Sequence, residues 1–200
     1  MLTLALETST SQGGVALFRD RELVFSHTFS ADRSHSSGLF SIIEAALAPD
    51  RVPGRIVVGL GPGSYAGVRI AIAAAIGLSV ATGAELLGVP SVSALELGEY
   101  VALGDARRGA YSFAHVRDGE FITGPMLLTP EELSGRLPGV PIFSSEELGL
   151  PGVKIRFPLV DRIGRLAIDG RSISARGTLE PIYLREPHIT VAKNSNLPVK

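Results

Sequence analysis

Gly61-Pro62-Gly63-Ser64-Tyr65-Ala66-Gly67-Val68-Arg69-Ile70 joins an apolar run at residues 55–60 to an Ala- and Ile-rich run that reaches residue 84. That order predicts a buried strand, a tight turn built on glycine and proline, and then a helix. Gly61 and Gly63 permit backbone angles that a side chain forbids, and Ser64 is placed to cap the helix. Such a turn either aims free backbone N–H groups and the positive end of a helix at an anion, or only reverses the chain. No Gly-Lys-Ser/Thr follows at the spacing a P-loop requires.

Working outward, Leu2, Leu4 and Leu6 alternate, which predicts a strand with one strongly apolar face. Gly13-Gly14 opens a second short strand at 15–18, and Asp20-Arg21 turns the chain into a third at 23–29. Leu39, Phe40, Ile42, Ile43, Ala46 and Leu47 recur at helical spacing, closed by Pro49 and Pro53. A short strand at 85–89 and a helix near Ser91–Tyr100 complete a β-β-β-α-β-α-β-α order. The second half restarts with strands near 101–104, 110–117 and 120–128. Thr129-Pro130-Glu131-Glu132 then reads as a capped helix start. A short strand follows near 141–145, a helix at 160–169 with Leu159, Ile163, Leu166 and Ala167 inward, and a polar tail at 193–200. Two lobes are expected, at 1–100 and 101–200, the second smaller.

The 200 residues hold 19 Lys+Arg against 20 Asp+Glu, so no global basic field holds a nucleic acid, and any such contact is local or indirect. There is no cysteine, which excludes disulfides, thiol catalysis and zinc–thiolate sites. The first strand lacks a basic leader pattern, and the uncharged run at 70–82 is short for a bilayer. A cytoplasmic protein with no membrane contact is expected.

Leu6-Glu7-Thr8-Ser9-Thr10, the 61–70 segment, Asp105-Ala106-Arg107-Arg108-Gly109 and Pro181-Ile182-Tyr183-Leu184-Arg185 occur in that order. Together they resemble the TsaB (YeaZ) family of bacterial tRNA threonylcarbamoyladenosine-synthesis proteins. The resemblance implies an α/β fold of the actin/hexokinase/Hsp70 (ASKHA) kind, with the β-β-β-α-β-α-β-α lobe and a reduced second lobe. It also implies a non-catalytic, cytoplasmic accessory subunit that partners the transferase TsaD, with the ATPase TsaE in the assembly and tRNA met only through the complex. The chain departs from the family's usual pattern at Glu7, often Asp, and at Ala66, commonly Thr.

Catalytic relatives of that fold hold a metal through a His-x-x-x-His pair; here His35 is followed four residues later by Leu39, so neither a metal nor a catalytic residue is expected. His27, in phase with Leu23, Phe25 and Phe29, is expected to be half-buried, and His115 and His188 have no ligand partners nearby in sequence. Glu7, Thr8 and Ser9, with Gly61, Gly63 and Ser64, could form a vestigial or partner-shared ATP/ADP site, Gly13-Gly14 leaving room beside it; otherwise they cap a turn. No cofactor of the chain's own is expected. The helix from Tyr65 is apolar nearly all round, so it must be covered on both sides. In the family these helices meet TsaD or a second copy, which assigns Phe40, Ile43, Leu47, Tyr65, Arg69, Ile72 and Ile76 to the contact; the other reading packs them all internally. Tyr183 and Arg185 are expected to anchor the chain end to the body. A competing class is a small ATP-dependent phosphotransferase or hydrolase, with Asp105 as its second carboxylate.

Overall fold

The computed structural model describes residues 1–30, 35–48, 51–174 and 179–185. His188, Pro49, the tail at 193–200 and the side chain of His35 lie outside the described residues. Strands β1 (Leu2–Glu7), β2 (Gln12–Arg19) and β3 (Glu22–Ser30) form an antiparallel meander. Helix α1 (His35–Ala46) leads to β4 (Arg55–Gly59), which pairs parallel to β1. Helix α2 (Tyr65–Thr82) leads to β5 (Glu85–Val89), parallel to β4.

The second sheet repeats this plan. Strands β6 (Glu99–Asp105), β7 (Tyr111–Arg117) and β8 (Glu120–Leu128) form the meander, and the five-residue α3 (Pro130–Ser134) follows. Strand β9 (Ile142–Ser144) then pairs parallel to β6, and β10 (Val153–Ile155) parallel to β9. The order is β5-β4-β1-β2-β3 in one sheet and β10-β9-β6-β7-β8 in the other. The counterpart of α2 is missing from the second sheet, where a loop joins β9 to β10. This is an actin/hexokinase-like pair of mixed sheets with a reduced second half.

Residues near Ser91–Tyr100 do not form the expected helix. One 3-10 turn, Ser91–Ala94, precedes β6, and Tyr100 belongs to that strand. Helix α4 (Val160–Ile168) instead covers the first sheet, and β11 (Ile173–Ser174) extends its edge beside β5. The alternation of the central strands explains how. Leu4, Leu6, Val15, Leu17, Ile56 and Val58 face α1 and α2. Ala5, Ala16, Phe18 and Val57 face α4, which contributes Val160, Ile163, Leu166 and Ala167. Leu159, expected inward, is 45% exposed. Strand β3 is a sheet edge, which leaves His27 exposed rather than half-buried.

Ser64 caps α2 by accepting a hydrogen bond from the Gly67 N–H at 3.1 Å, and Gly83 ends it with φ of 72°. By length and composition alone α2 could cross a membrane. Its residues Gly67, Val68, Ala71, Ile72, Ala74 and Ala75 are buried within the fold.

Candidate partner face and interlobe cleft

The turn before α2 presses against the loop that follows β1. A Cβ on Gly63 would lie 2.2 Å from the Ser9 carbonyl oxygen, and one on Gly67 would lie 2.0 Å from that of Thr8. The Ser64 N–H donates to the Ser9 carbonyl at 2.6 Å, and the Thr8 hydroxyl donates to the Gly67 carbonyl at 2.7 Å. These two glycines are therefore needed for backbone-to-backbone packing. Gly67→Ala is expected to lose about 1–3 kcal/mol of stability, because a methyl group there meets a carbonyl oxygen rather than a yielding side chain. Thermal melting of the purified variant measures it.

Beneath this junction the Glu7 carboxyl is fully buried. It accepts from the Ser9 N–H at 2.5 Å and from the Ser91 hydroxyl at 2.7 Å, and Ser91 in turn accepts from the Gly61 N–H at 2.9 Å. A Cβ on Gly59 would lie 1.8 Å from a Glu7 oxygen. Burial pushes the Glu7 pKa up, against the downward pull of these hydrogen bonds. The room expected at Gly13-Gly14 is filled. The Phe29 ring sits where a Gly13 Cβ would be, and Val160 occupies the space at Gly14.

A cleft of about 760 Å³ runs between the two sheets. Ser9 to Ser11, Gly63 to Tyr65, Gly104 to Arg107 and Pro181 to Arg185 contribute to its walls. Of the six nucleotide candidates, Ser9, Gly63 and Ser64 line it, whereas Glu7, Thr8 and Gly61 do not. The Ser9 hydroxyl is buried beside the Glu7 carboxyl. Asp105 reaches the cleft but pairs with Arg107 at 3.0 Å, and its N–H donates to Glu146 at 2.7 Å. His115 bonds Glu99 at 2.8 Å, and no group of three potential metal ligands converges among the described residues.

The outer faces of α1 and α2 carry the remaining candidates. Phe40 is 53% exposed, Tyr65 47% and Ile76 36%; Arg69 is exposed and Leu47 half-buried. Ile43 and Ile72 point inward, 5% and 7% exposed, because a helix apolar on all sides still sets one stripe against the sheet. Val80, 83% exposed, was not among the expected contact residues. At about 100° per residue it falls on the same face as Tyr65, Arg69 and Ile76, and that phase could have found it. Ala66, Ala73 and Gly77 lie exposed along this face. Among the described residues α4 does not pack over it, since α4 covers the opposite side of the first sheet.

The model of the family "TsaD: tRNA N6-adenosine threonylcarbamoyltransferase" matches residues 29–168. An uncharacterized protein of Mycobacterium leprae is 28% identical over 99% of this chain and 58% of its own length. The tRNA threonylcarbamoyladenosine biosynthesis protein TsaB of Escherichia coli is 28% identical over 60% of this chain and 57% of its own length. The chain thus spans about three-fifths of the length of the curated relatives it matches. Among solved structures, YeaZ from Pseudomonas aeruginosa superposes with a TM-score of 0.71 at 23% identity, covering 92% of this chain and 99% of that one. A Pseudomonas aeruginosa protein described as similar to peptidase YEAZ gives 0.73 at 24% identity over the same shares. With well over half its residues under the family model, the chain belongs to the TsaD family and, within it, to the TsaB/YeaZ group.

Proposed function

We propose that this chain is a non-catalytic subunit of the assembly that makes N6-threonylcarbamoyladenosine in tRNA, and that it binds and activates TsaD. The observation carrying this reading is the apolar face of α1 and α2 that no described residue covers, with Phe40, Tyr65 and Val80 in solvent and Ile76 about a third exposed. Large apolar side chains left exposed on neighbouring helices suit an interaction site. Gly77 adds to it. A Cβ there would meet nothing within 4 Å, so no internal contact demands a glycine in mid-helix. Glycine costs about 1 kcal/mol relative to alanine at such a position, and close approach of a partner helix accounts for it. The occupant is TsaD, with a second copy of this chain as its stand-in when TsaD is absent; TsaE joins the assembly and tRNA is met through it.

The phosphotransferase reading fares worse on the same geometry. Its first carboxylate, Glu7, is sealed away from the cleft, and Asp105 is held by Arg107. Reconstitution tests the choice. The purified chain is expected to give no threonylcarbamoyl transfer alone and to raise the transfer rate of TsaD when added to it. Sustained ATP turnover by the chain alone, with no effect on TsaD, overturns the proposal.

A further inference from the structure

At the N-terminal end of the exposed α2 stripe, three side chains converge. The Arg69 guanidinium lies 5.0 Å from the centre of the Tyr65 ring and donates to the Tyr65 hydroxyl. Tyr183 stacks on Tyr65 with ring centroids 5.3 Å apart. The strap that carries Tyr183 is fixed by a hydrogen bond from the Ile182 N–H to the Leu60 carbonyl at 2.9 Å and by buried Leu179. The Tyr183 phenol is pushed up by partial desolvation and by Tyr65, with Arg69 pulling the other way.

Arg69 is the only charged residue of α2, and no carboxylate of the described residues lies within ion-pair reach of it. An arginine held against an aromatic ring has little side-chain freedom left to lose. Its remaining N–H groups, flanked by two phenols, match the planar oxygens of a carboxylate. We propose that the Tyr65–Arg69–Tyr183 cluster receives an acidic side chain of the protein that packs on the α1–α2 face, fixing the register of an otherwise apolar contact. This rests on the partner reading above and names the chemistry the partner must bring: an apolar helical surface with a carboxylate at one end. The lone positive charge on an apolar stripe argues for that occupant. A small phosphate in the adjoining cleft would make no use of the stripe.

Calorimetry of the full chain with TsaD at about 50 and about 300 mM salt provides the test. Arg69→Gln is expected to weaken binding about tenfold at the lower salt and to flatten its salt dependence. Tyr183→Phe is expected to weaken it about threefold, and Arg69→Lys to fall between wild type and Arg69→Gln. Wild-type affinity and salt dependence in Arg69→Gln overturn the proposal; if Ile76→Asp abolishes binding in the same series, the partner reading itself stands. If Ile76→Asp also binds normally, both fall. Binding of inorganic phosphate by the wild type but not by Arg69→Gln, with TsaD affinity unchanged, reassigns the cluster to small anions and likewise overturns the proposal.

Discussion

Ile76→Asp is expected to abolish association with TsaD, weakening it by about a hundredfold or more, in a chain that remains folded. Ile76 lies mid-way along the exposed α2 stripe, between Arg69 and Val80, and makes no contribution to the buried core. In the free chain about a third of the side chain at this position meets solvent, so an aspartate can turn to water and the melting temperature should fall only modestly. In the complex it would be desolvated against an apolar partner, and the one cation of α2, Arg69, is nearly two turns away. Gly77→Ala supplies a control of opposite sign. It should raise the stability of the isolated chain by about 0.5–1 kcal/mol, since a methyl group there meets open space. It should also weaken the complex, because that methyl group enters the helix–helix gap. Pull-down and calorimetry read the binding, and thermal melting reads the fold. Normal binding by a folded Ile76→Asp chain removes α2 from the interface.

Central strands and helix ends were legible in the sequence because each left a local signature. The alternation of Leu4 and Leu6 around Ala5 marks a strand between two layers, although only the structure shows that α4 is the second layer. Ser64 and Thr129 announced their helices and make the expected capping bonds. The helix expected near Ser91–Tyr100 failed because a long-range pairing outweighed local spacing. Tyr100 pairs with Val116 across β6 and β7, and its buried hydroxyl donates to the Val92 carbonyl and accepts from the Leu95 N–H. Burial pushes that phenol up to about 12. Strands β10 and β11, of three and two residues, are too short to show a period.

The exposed face of α1 and α2 was legible only in part. An all-apolar helix does not reveal which stripe the sheet takes, so Ile43 and Ile72 were grouped with Phe40 and Ile76 although they belong to the core. The link between Ser91 and Glu7 had no local sign at all, since 84 positions separate them.

That link carries the other large expected effect. Glu7→Ala should lose about 3–5 kcal/mol, because it leaves the Ser9 N–H and the Ser91 hydroxyl without their acceptor in a buried site and opens a cavity under Gly59. Glu7→Gln should behave differently, since an amide can still accept from Ser9 and turn its NH2 toward Ser91. The sign of the pH dependence separates the two roles of this carboxyl. Burial raises its folded pKa above the ordinary value of 4.5, so the folded chain holds the proton to higher pH than the unfolded chain does. Its contribution to stability is complete below pH 4.5 and is lost as pH rises through the raised folded value. Glu96, Glu99 and Glu131 have lowered values and act in the opposite sense, their contribution being lost as pH falls. Subtracting the wild-type stability curve from that of Glu7→Gln cancels those three groups. The difference should be constant below pH 4.5 and then climb in favour of the glutamine variant. A flat difference curve from acid to neutral pH would show that Glu7 does not hold its proton in the folded chain. The hydrogen bonds from Ser9 and Ser91 would then offset burial in full, leaving an ionised carboxylate in the three-way junction of β1, the α2 turn and Ser91 at neutral pH.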